Sequence, residues 1–253
     1  MLKVRVLPTL LFKDHGLVKG IGFDSWRRVG TAMQSVKVYN MREVDELVFV
    51  DIMATRNGDS PDFETVDELA DECFMPLTVG GGVRTVDDVR RLLMVGADKV
   101  ALNSVVAEDP SVVGEIASRF GSQCVVVSID ARVKPDGGHE VFTHSGTVAT
   151  GKDPVQLARE VADLGAGEIL ITSIDRDGTM KGYDLELIKG VTEAVAVPVI
   201  ASGGAGTYED MARAVTEGGA SAVAAASIFH FTEQTPREAK QYLASKGIAV
   251  RRT

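Results

Sequence analysis

The chain has 253 residues, close to the roughly 250 typical of an eight-stranded α/β barrel and enough for one large buried core. With 45% hydrophobic and 25% charged residues it has an ordinary globular composition, which excludes extended disorder. The net charge of −9 excludes a nucleic-acid surface, so any phosphorylated ligand must be held by backbone amides and a few cations.

From the N-terminus, Met1-Leu2-Lys3-Val4-Arg5-Val6 places charges inside what would have to be an apolar signal segment. No run of about 18 apolar residues follows anywhere, so the chain is expected to be cytoplasmic and without membrane contacts. Short runs rich in Val, Ile and Leu predict strands over 4–10, 46–50, 76–79, 99–102, 124–129, 168–172, 198–201 and 222–225. Helical periodicity lies between them, over 86–94, 110–120, 154–164, 184–194 and 208–216. This alternation is that of βα units around a parallel sheet. No linker or low-complexity tract interrupts it, which predicts a single domain over 1–253.

An internal repeat selects among α/β architectures. PLTVGGGVRT at 76–85 reappears as PVIASGGAGT at 198–207, so Pro76 matches Pro198 and Gly81 matches Gly203, 122 positions on. Asp45-Glu46-Leu47-Val48 is echoed at the same interval by Gly167-Glu168-Ile169-Leu170. A period of about half the chain suits a (βα)8 TIM barrel made of two half-barrels, and an open doubly wound sheet gives no reason for it.

The repeated glycines carry chemistry. Gly80-Gly81-Gly82 follows the third strand and Ser202-Gly203-Gly204-Ala205-Gly206 the seventh. Successive glycines let N–H groups converge on an anion without a Cβ in the way, and the next helix adds its positive end. Asn103-Ser104 and Ala226-Ser227 end the following strands and can complete each cradle. Either loop alone is also explained as a tight βα turn. Two equivalent loops favour a ligand with a phosphate at each end.

Charges also stand at strand starts, where barrels normally carry packing residues: Arg5, Glu46, Lys99 and Glu168. Pointing inward, these two cations and two anions make a neutral ring that closes the floor and still passes a small polar molecule. Pointing outward, they are ordinary solvated side chains. His15, His139, His144 and His230 lack metal-ligand spacing, and neither a metal nor a cofactor is expected. Cys73 and Cys124 are read as buried small hydrophobes. Trp26, in the first loop, suits either a lid or a partner contact.

Long segments carry a family resemblance: VDELVFVDI at 44–52, PLTVGGGVRT at 76–85, FGSQCVVVSIDA at 120–131, GAGEILITSIDRDGT at 165–179, GYDLELI at 182–188 and PVIASGGAG at 198–206. Through them the chain resembles the cyclase subunit of imidazole glycerol phosphate synthase, the HisF family, over essentially its whole length. The resemblance implies a bis-phosphorylated ribonucleotide ligand from histidine biosynthesis. It implies a glutaminase partner on the barrel's N-terminal face, and ammonia passing to the opposite face for lyase and cyclase chemistry. It assigns Arg5, Glu46, Lys99 and Glu168 as the ammonia gate and puts Asp98 and Gln123 at the docking face. Phosphate contacts fall on Gly82, Asn103, Ser104, Gly203, Gly204, Ala226 and Ser227. Lys19 matches a substrate-covering lysine of the first loop, and Asp177 a substrate contact.

The family uses two aspartates, on strands 1 and 5, as acid and base, so that one proton leaves one atom while another is delivered elsewhere. Asp130 matches the second of them. Leu11 stands where the first belongs, and leucine transfers no proton. Thr9 and Gly22 also depart from the family pattern, and Asp14 is the nearest carboxylate that a rescue would have to use. LLFKDHGLVK resembles a second-copy branch associated with surface polysaccharides, in which ammonia goes to a partner that amidinates a nucleotide sugar. The leading expectation is a retained barrel, gate and partner interface with altered chemistry. A working cyclase is the alternative. The sister isomerase of the same pathway is disfavoured, because Leu11 damages its base equally and it has no use for a gate.

Overall fold

A computed structural model of the protein describes residues 3–42 and 44–251; Met1 and Leu2, in the stretch read above as unlike a signal, lie outside the described residues. Eight parallel strands form the barrel. They are β1 (Arg5–Lys13), β2 (Leu47–Asp51), β3 (Leu77–Gly80), β4 (Lys99–Leu102), β5 (Val125–Val133), β6 (Glu168–Ser173), β7 (Val199–Ser202) and β8 (Ala222–Ala225). Each pairs with the next, β8 pairs with β1, and no edge remains in the ring. The outer layer is α1 (Ala32–Met41), α2 (Phe63–Glu72), α3 (Val86–Met94), α4 (Ser111–Phe120), α5 (Pro154–Asp163), α6 (Leu185–Thr192), α7 (Tyr208–Thr216) and α8 (Pro236–Ser245). This is a (βα)8 barrel, as the half-chain repeat predicts.

Strands buried on both faces explain the continuous apolar runs. One cluster packs the barrel interior, with Leu7, Val48, Val126, Leu170 and Ile200 beside the small Ala101, Ala222 and Ala224. A larger one fills the layer between strands and helices. The repeat extends to helix starts. Thr85 before α3 and Thr207 before α7 each make a reciprocal capping box, with Asp88 and Asp210, satisfying N–H groups that a helix start otherwise leaves open. A third box joins Thr235 and Glu238 at the start of α8.

The structure corrects the sequence expectation at two places. β1 runs to Lys13 rather than stopping near residue 10, because its end pairs antiparallel with Gly16–Ile21, which pairs in turn with Asp24–Gly30. The first loop is therefore a β-hairpin. Likewise β5 continues into His139–Thr143 and Val148–Ala149, so a second hairpin rises from the strand that begins the other half. Cys124 is buried as expected, whereas Cys73 is only half-buried.

The two chain ends are tied at the floor. Asp45, 2% exposed, accepts from the Val6 amide at 3.0 Å and from Lys240 Nζ of α8 at 3.2 Å. The last helix is thus fixed to the first strand by a buried charge that also has a backbone donor. Among the described residues no helix is long and apolar enough to cross a membrane.

Candidate active site

At the C-terminal ends of the strands the two hairpins roof a cleft of roughly 1180 Å³, counting its open mouth. Both glycine loops line it, and close backbone approach explains their composition. A Cβ on Gly81 would lie 2.2 Å from the Asp51 carbonyl oxygen, and one on Gly203 2.6 Å from that of Ser173. Both have positive φ, +105° and +85°, which only glycine adopts freely. Gly82, Asn103, Ser104, Gly203, Gly204, Ala226 and Ser227 all line the cleft, so every residue expected at a phosphate is brought to one space. The Ser227 hydroxyl is buried and has no hydrogen-bond partner. Asn103 is more occupied, donating from Nδ2 to Asp130 at 2.9 Å and to the Ser128 carbonyl at 3.0 Å.

Asp130 stands on β5 at the deep end of the cleft. Burial raises its carboxyl, the Asn103 amide opposes this and nearby Asp177 adds to it, leaving a pKa of about 7. Such a group exchanges protons near neutrality, which suits acid–base work. Its neutral form is favoured by the fold, so stability falls as pH rises from about 4, where an unfolded aspartate ionises, to about 7. Asp130→Asn is expected to gain on the parent protein through that window and to run parallel above it, as thermal unfolding from acid to neutral pH will register. Parallel curves throughout would mean that the carboxylate ionises without penalty.

Register locates the counterpart of Asp130. Asp130 pairs with Thr172 on β6, and Leu11 pairs with Val50 on β2. Thr172 lies 122 positions after Val50, so Leu11 and Asp130 occupy equivalent places in the two halves. Leu11 lines the cleft. Asp14 does not; it is exposed at the hairpin turn with φ 55°, facing away from any role as a replacement. Thr9 also lines the cleft, its hydroxyl buried and unpartnered. Asp51 and Asp175 are used structurally. Asp51 accepts from the amides of Met53 and Ala54 at 2.8 and 3.1 Å, and Asp175 from that of Val133 at 2.8 Å.

Lys19 sits on the first hairpin, 2% exposed, with Nζ 2.5 Å from Asp177. The Gly22 amide donates to the Asp177 carbonyl at 2.9 Å, so the hairpin is closed onto the loop after β6. The second hairpin is seated too: the His144 amide donates to Ser104 at 3.1 Å and the Ser145 hydroxyl to the Ile52 carbonyl. Composition gives no hint of these latches.

At the opposite end the four strand-start charges converge. Arg5 lies 2.6 Å from Glu46 and 3.1 Å from Glu168, while Lys99 lies 2.9 Å from Glu46 and 3.1 Å from Glu168. Cations and anions alternate around the ring. Thr78 adds a hydroxyl to Glu46 at 2.8 Å, and Glu168 keeps one buried oxygen unpartnered. Burial disfavours the Arg5 cation, but Glu168 and Glu46 outweigh it and raise its pKa. Side chains bound for solvent do not converge in this way. Asp98 and Gln123 lie exposed just ahead of β4 and β5, at the same end. The Asp98 carboxylate accepts from the Leu77 amide at 2.8 Å, tying the turn before β4 to the start of β3, and Gln123 donates to the Phe120 carbonyl at 3.1 Å within its own turn.

Comparison with known proteins agrees in length and order. The family described as "Histidine biosynthesis protein" matches residues 5–235. The chain is 54% identical over 251 residues to "Imidazole glycerol phosphate synthase subunit HisF" of Hyphomonas neptunium (strain ATCC 15444), covering 99% of each.

Proposed function

The chain belongs to the HisF family of histidine biosynthesis proteins, and on that premise we propose that it is the barrel subunit of a glutamine amidotransferase complex whose own cyclase chemistry has been given up. The observation that carries this is the pairing of an intact floor with a broken catalytic pair: Arg5, Glu46, Lys99 and Glu168 close a ring, while Leu11 occupies the position equivalent to Asp130.

In this reading a HisH-like glutaminase docks on the N-terminal face around Asp98 and Gln123 and releases ammonia against the ring. The ring carries no net charge, so as a whole it does not favour ammonium over ammonia. Above it the apolar interior of Leu7, Val48 and Leu170, next to three alanines, offers no proton and no strong acceptor. Ammonia therefore reaches the cleft uncharged and nucleophilic. There Gly82, Asn103 and Ser104 hold one phosphate of the ligand, and Gly203, Gly204, Ala226 and Ser227 the other. Lys19, on its hairpin, covers the ligand and is positioned by Asp177.

Asp130 can hold or move a proton at one side of the ligand. Nothing on Leu11 or its neighbour Val50 can do so at the other, so bond making that needs two coordinated proton transfers stalls. The ammonia is then used by a separate acceptor enzyme, and the nucleotide-sugar amidination of the second-copy branch is the reaction that this fits.

The second reading is a working cyclase of histidine biosynthesis, favoured by Asp130 with its near-neutral pKa and by the 54% identity to a HisF subunit. Complementation of a cyclase-deficient strain separates the two. No growth is expected from this chain, with growth restored by a HisF carrying both aspartates; growth supported by this chain would establish it as a cyclase.

A further inference from the structure

The two glycine-loop cradles are equivalent in sequence but not in the folded chain. Gly204 lies 122 positions after Gly82, and Ser227 lies 123 after Ser104. In the second half neither the Gly203 nor the Gly204 amide donates a hydrogen bond among the described residues, and the Ser227 hydroxyl is buried without a partner. In the first half every counterpart is engaged. The Gly82 amide donates to Thr55 Oγ1 at 3.2 Å. Asn103 Nδ2 is taken by Asp130 and by the Ser128 carbonyl. Ser104 Oγ donates to Asn103 Oδ1 at 3.2 Å and accepts from the His144 amide at 3.1 Å.

The last of these bonds comes from the second hairpin. At its tip His144 and Ser145 hold left-handed backbone, φ 51° and 55°, a conformation that persists only where the surroundings impose it. Two bonds impose it here, from the His144 amide to Ser104 and from the Ser145 hydroxyl to the Ile52 carbonyl. The tip is thus seated on the first cradle. The first hairpin, which brings Trp26 to the lining of the cleft, covers the other half without doing so. Its Gly22 stands near Ile174, 122 positions after Ile52, where a Cβ would lie 3.8 Å from the Ile174 carbonyl oxygen. Gly22 has no side chain to bond that oxygen, and its amide goes instead to the Asp177 carbonyl at 2.9 Å. Ser227 is left open.

We propose that the second hairpin is an internal competitor for the first-half cradle. A phosphorylated ligand is captured at Gly203, Gly204 and Ser227, and a second phosphate enters at Gly82 and Ser104 only by lifting the hairpin tip off Ser104 and Ile52. This rests on the reading of the glycine loops as phosphate sites. The apparent affinity of the first cradle is reduced by the fraction of molecules in which it is open, whereas the second is open throughout. A ligand with one phosphate therefore occupies the second half alone. Only a ligand with phosphates at both ends moves the hairpin, so the position of the tip reports which kind is bound.

Inorganic phosphate titrated into the full chain, and followed residue by residue through backbone amide NMR shifts, tests this. The Gly203 and Gly204 amides are expected to saturate at a phosphate concentration about tenfold lower than those of Gly82 and Ser104, the factor for one hydrogen bond that must first be given up. The His144 amide should shift together with Gly82 and Ser104. Ser145→Ala loosens the tip and leaves every cradle group in place, so it should tighten the first cradle by roughly threefold to tenfold and leave the second unchanged. Ser227→Ala should weaken the second cradle alone. Saturation of both sets at one concentration in the parent chain, or a first cradle that Ser145→Ala does not tighten, overturns the competition and leaves the phosphate sites standing. If no cradle amide responds to phosphate, the phosphate reading fails and the competition with it.

Discussion

Replacing Leu11 by aspartate is expected to raise ammonium-dependent turnover of the bis-phosphorylated histidine-pathway intermediate by about 10²- to 10⁴-fold, the range of one positioned acid or base. The expectation comes from register rather than from proximity in sequence. Leu11 pairs with Val50 as Asp130 pairs with Thr172, so a carboxylate at residue 11 enters the cleft at the place related to Asp130 by the half-barrel repeat. The variant still has Val50 where the other half has Thr172. The new carboxyl will consequently lack the hydroxyl that Thr172 gives Asp130, and Val50→Thr beside it is expected to raise turnover further. Purified Leu11→Asp with saturating ammonium, followed by product formation, is the measurement. If the parent chain already turns over as fast as the variant, the loss of function at Leu11 is refuted.

The second large effect concerns the floor. Glu46 is 2% exposed and serves both cations of the ring as well as Thr78. Glu46→Ala leaves Arg5 and Lys99 sharing Glu168 alone. Removing one partner from a buried ion pair costs about 3–5 kcal/mol, because the other charge stays behind without compensation. For a chain of this size that lowers the melting temperature on the order of ten degrees. Glu168, 14% exposed in its side chain and without a bond to a backbone or hydroxyl donor among the described residues, should cost less as Glu168→Ala. Thermal unfolding of the two variants checks the ranking. Equal small losses would mean that the ring is solvated and carries little energy.

Much of this architecture is legible in the sequence, for reasons that differ by element. β4 and β8 were found at their observed bounds, since short strands buried on both faces appear as uninterrupted apolar runs. α3 and α7 are equally clear from their helical periodicity, and the structure adds the Thr capping box that fixes each start. The convergence of Arg5, Glu46, Lys99 and Glu168 was only one of two options, since spacing does not state which way a strand-start side chain points. The hairpins were missed. The strands of the first are short and broken by Gly, Lys and Arg, and those of the second are only five and two residues long, so none shows the apolar run that betrays a barrel strand. With them went the latch of Lys19 on Asp177 and the place of Trp26, both of which depend on where a hairpin folds over. The equivalence of Leu11 and Asp130 within this chain needed the observed pairing register, because the two residues are not separated by the 122-position interval of the surrounding repeat.

The tie between Asp45 and Lys240 bears on how the chain reaches its native state. The two residues are 195 positions apart, and the bond between them is made only when the last helix meets the turn ahead of β2. The ring has the same dependence. Arg5, Glu46 and Lys99 all come from the first half and leave it with one unmatched positive charge, which Glu168 of the second half neutralises. A half-barrel emerging alone would carry that unmatched cation at its open seam, without the carboxylate that offsets its burial in the closed barrel. Contacts so remote in sequence are reached slowly, so closure of the floor is expected to come late in folding, as the step that commits the two halves to one another.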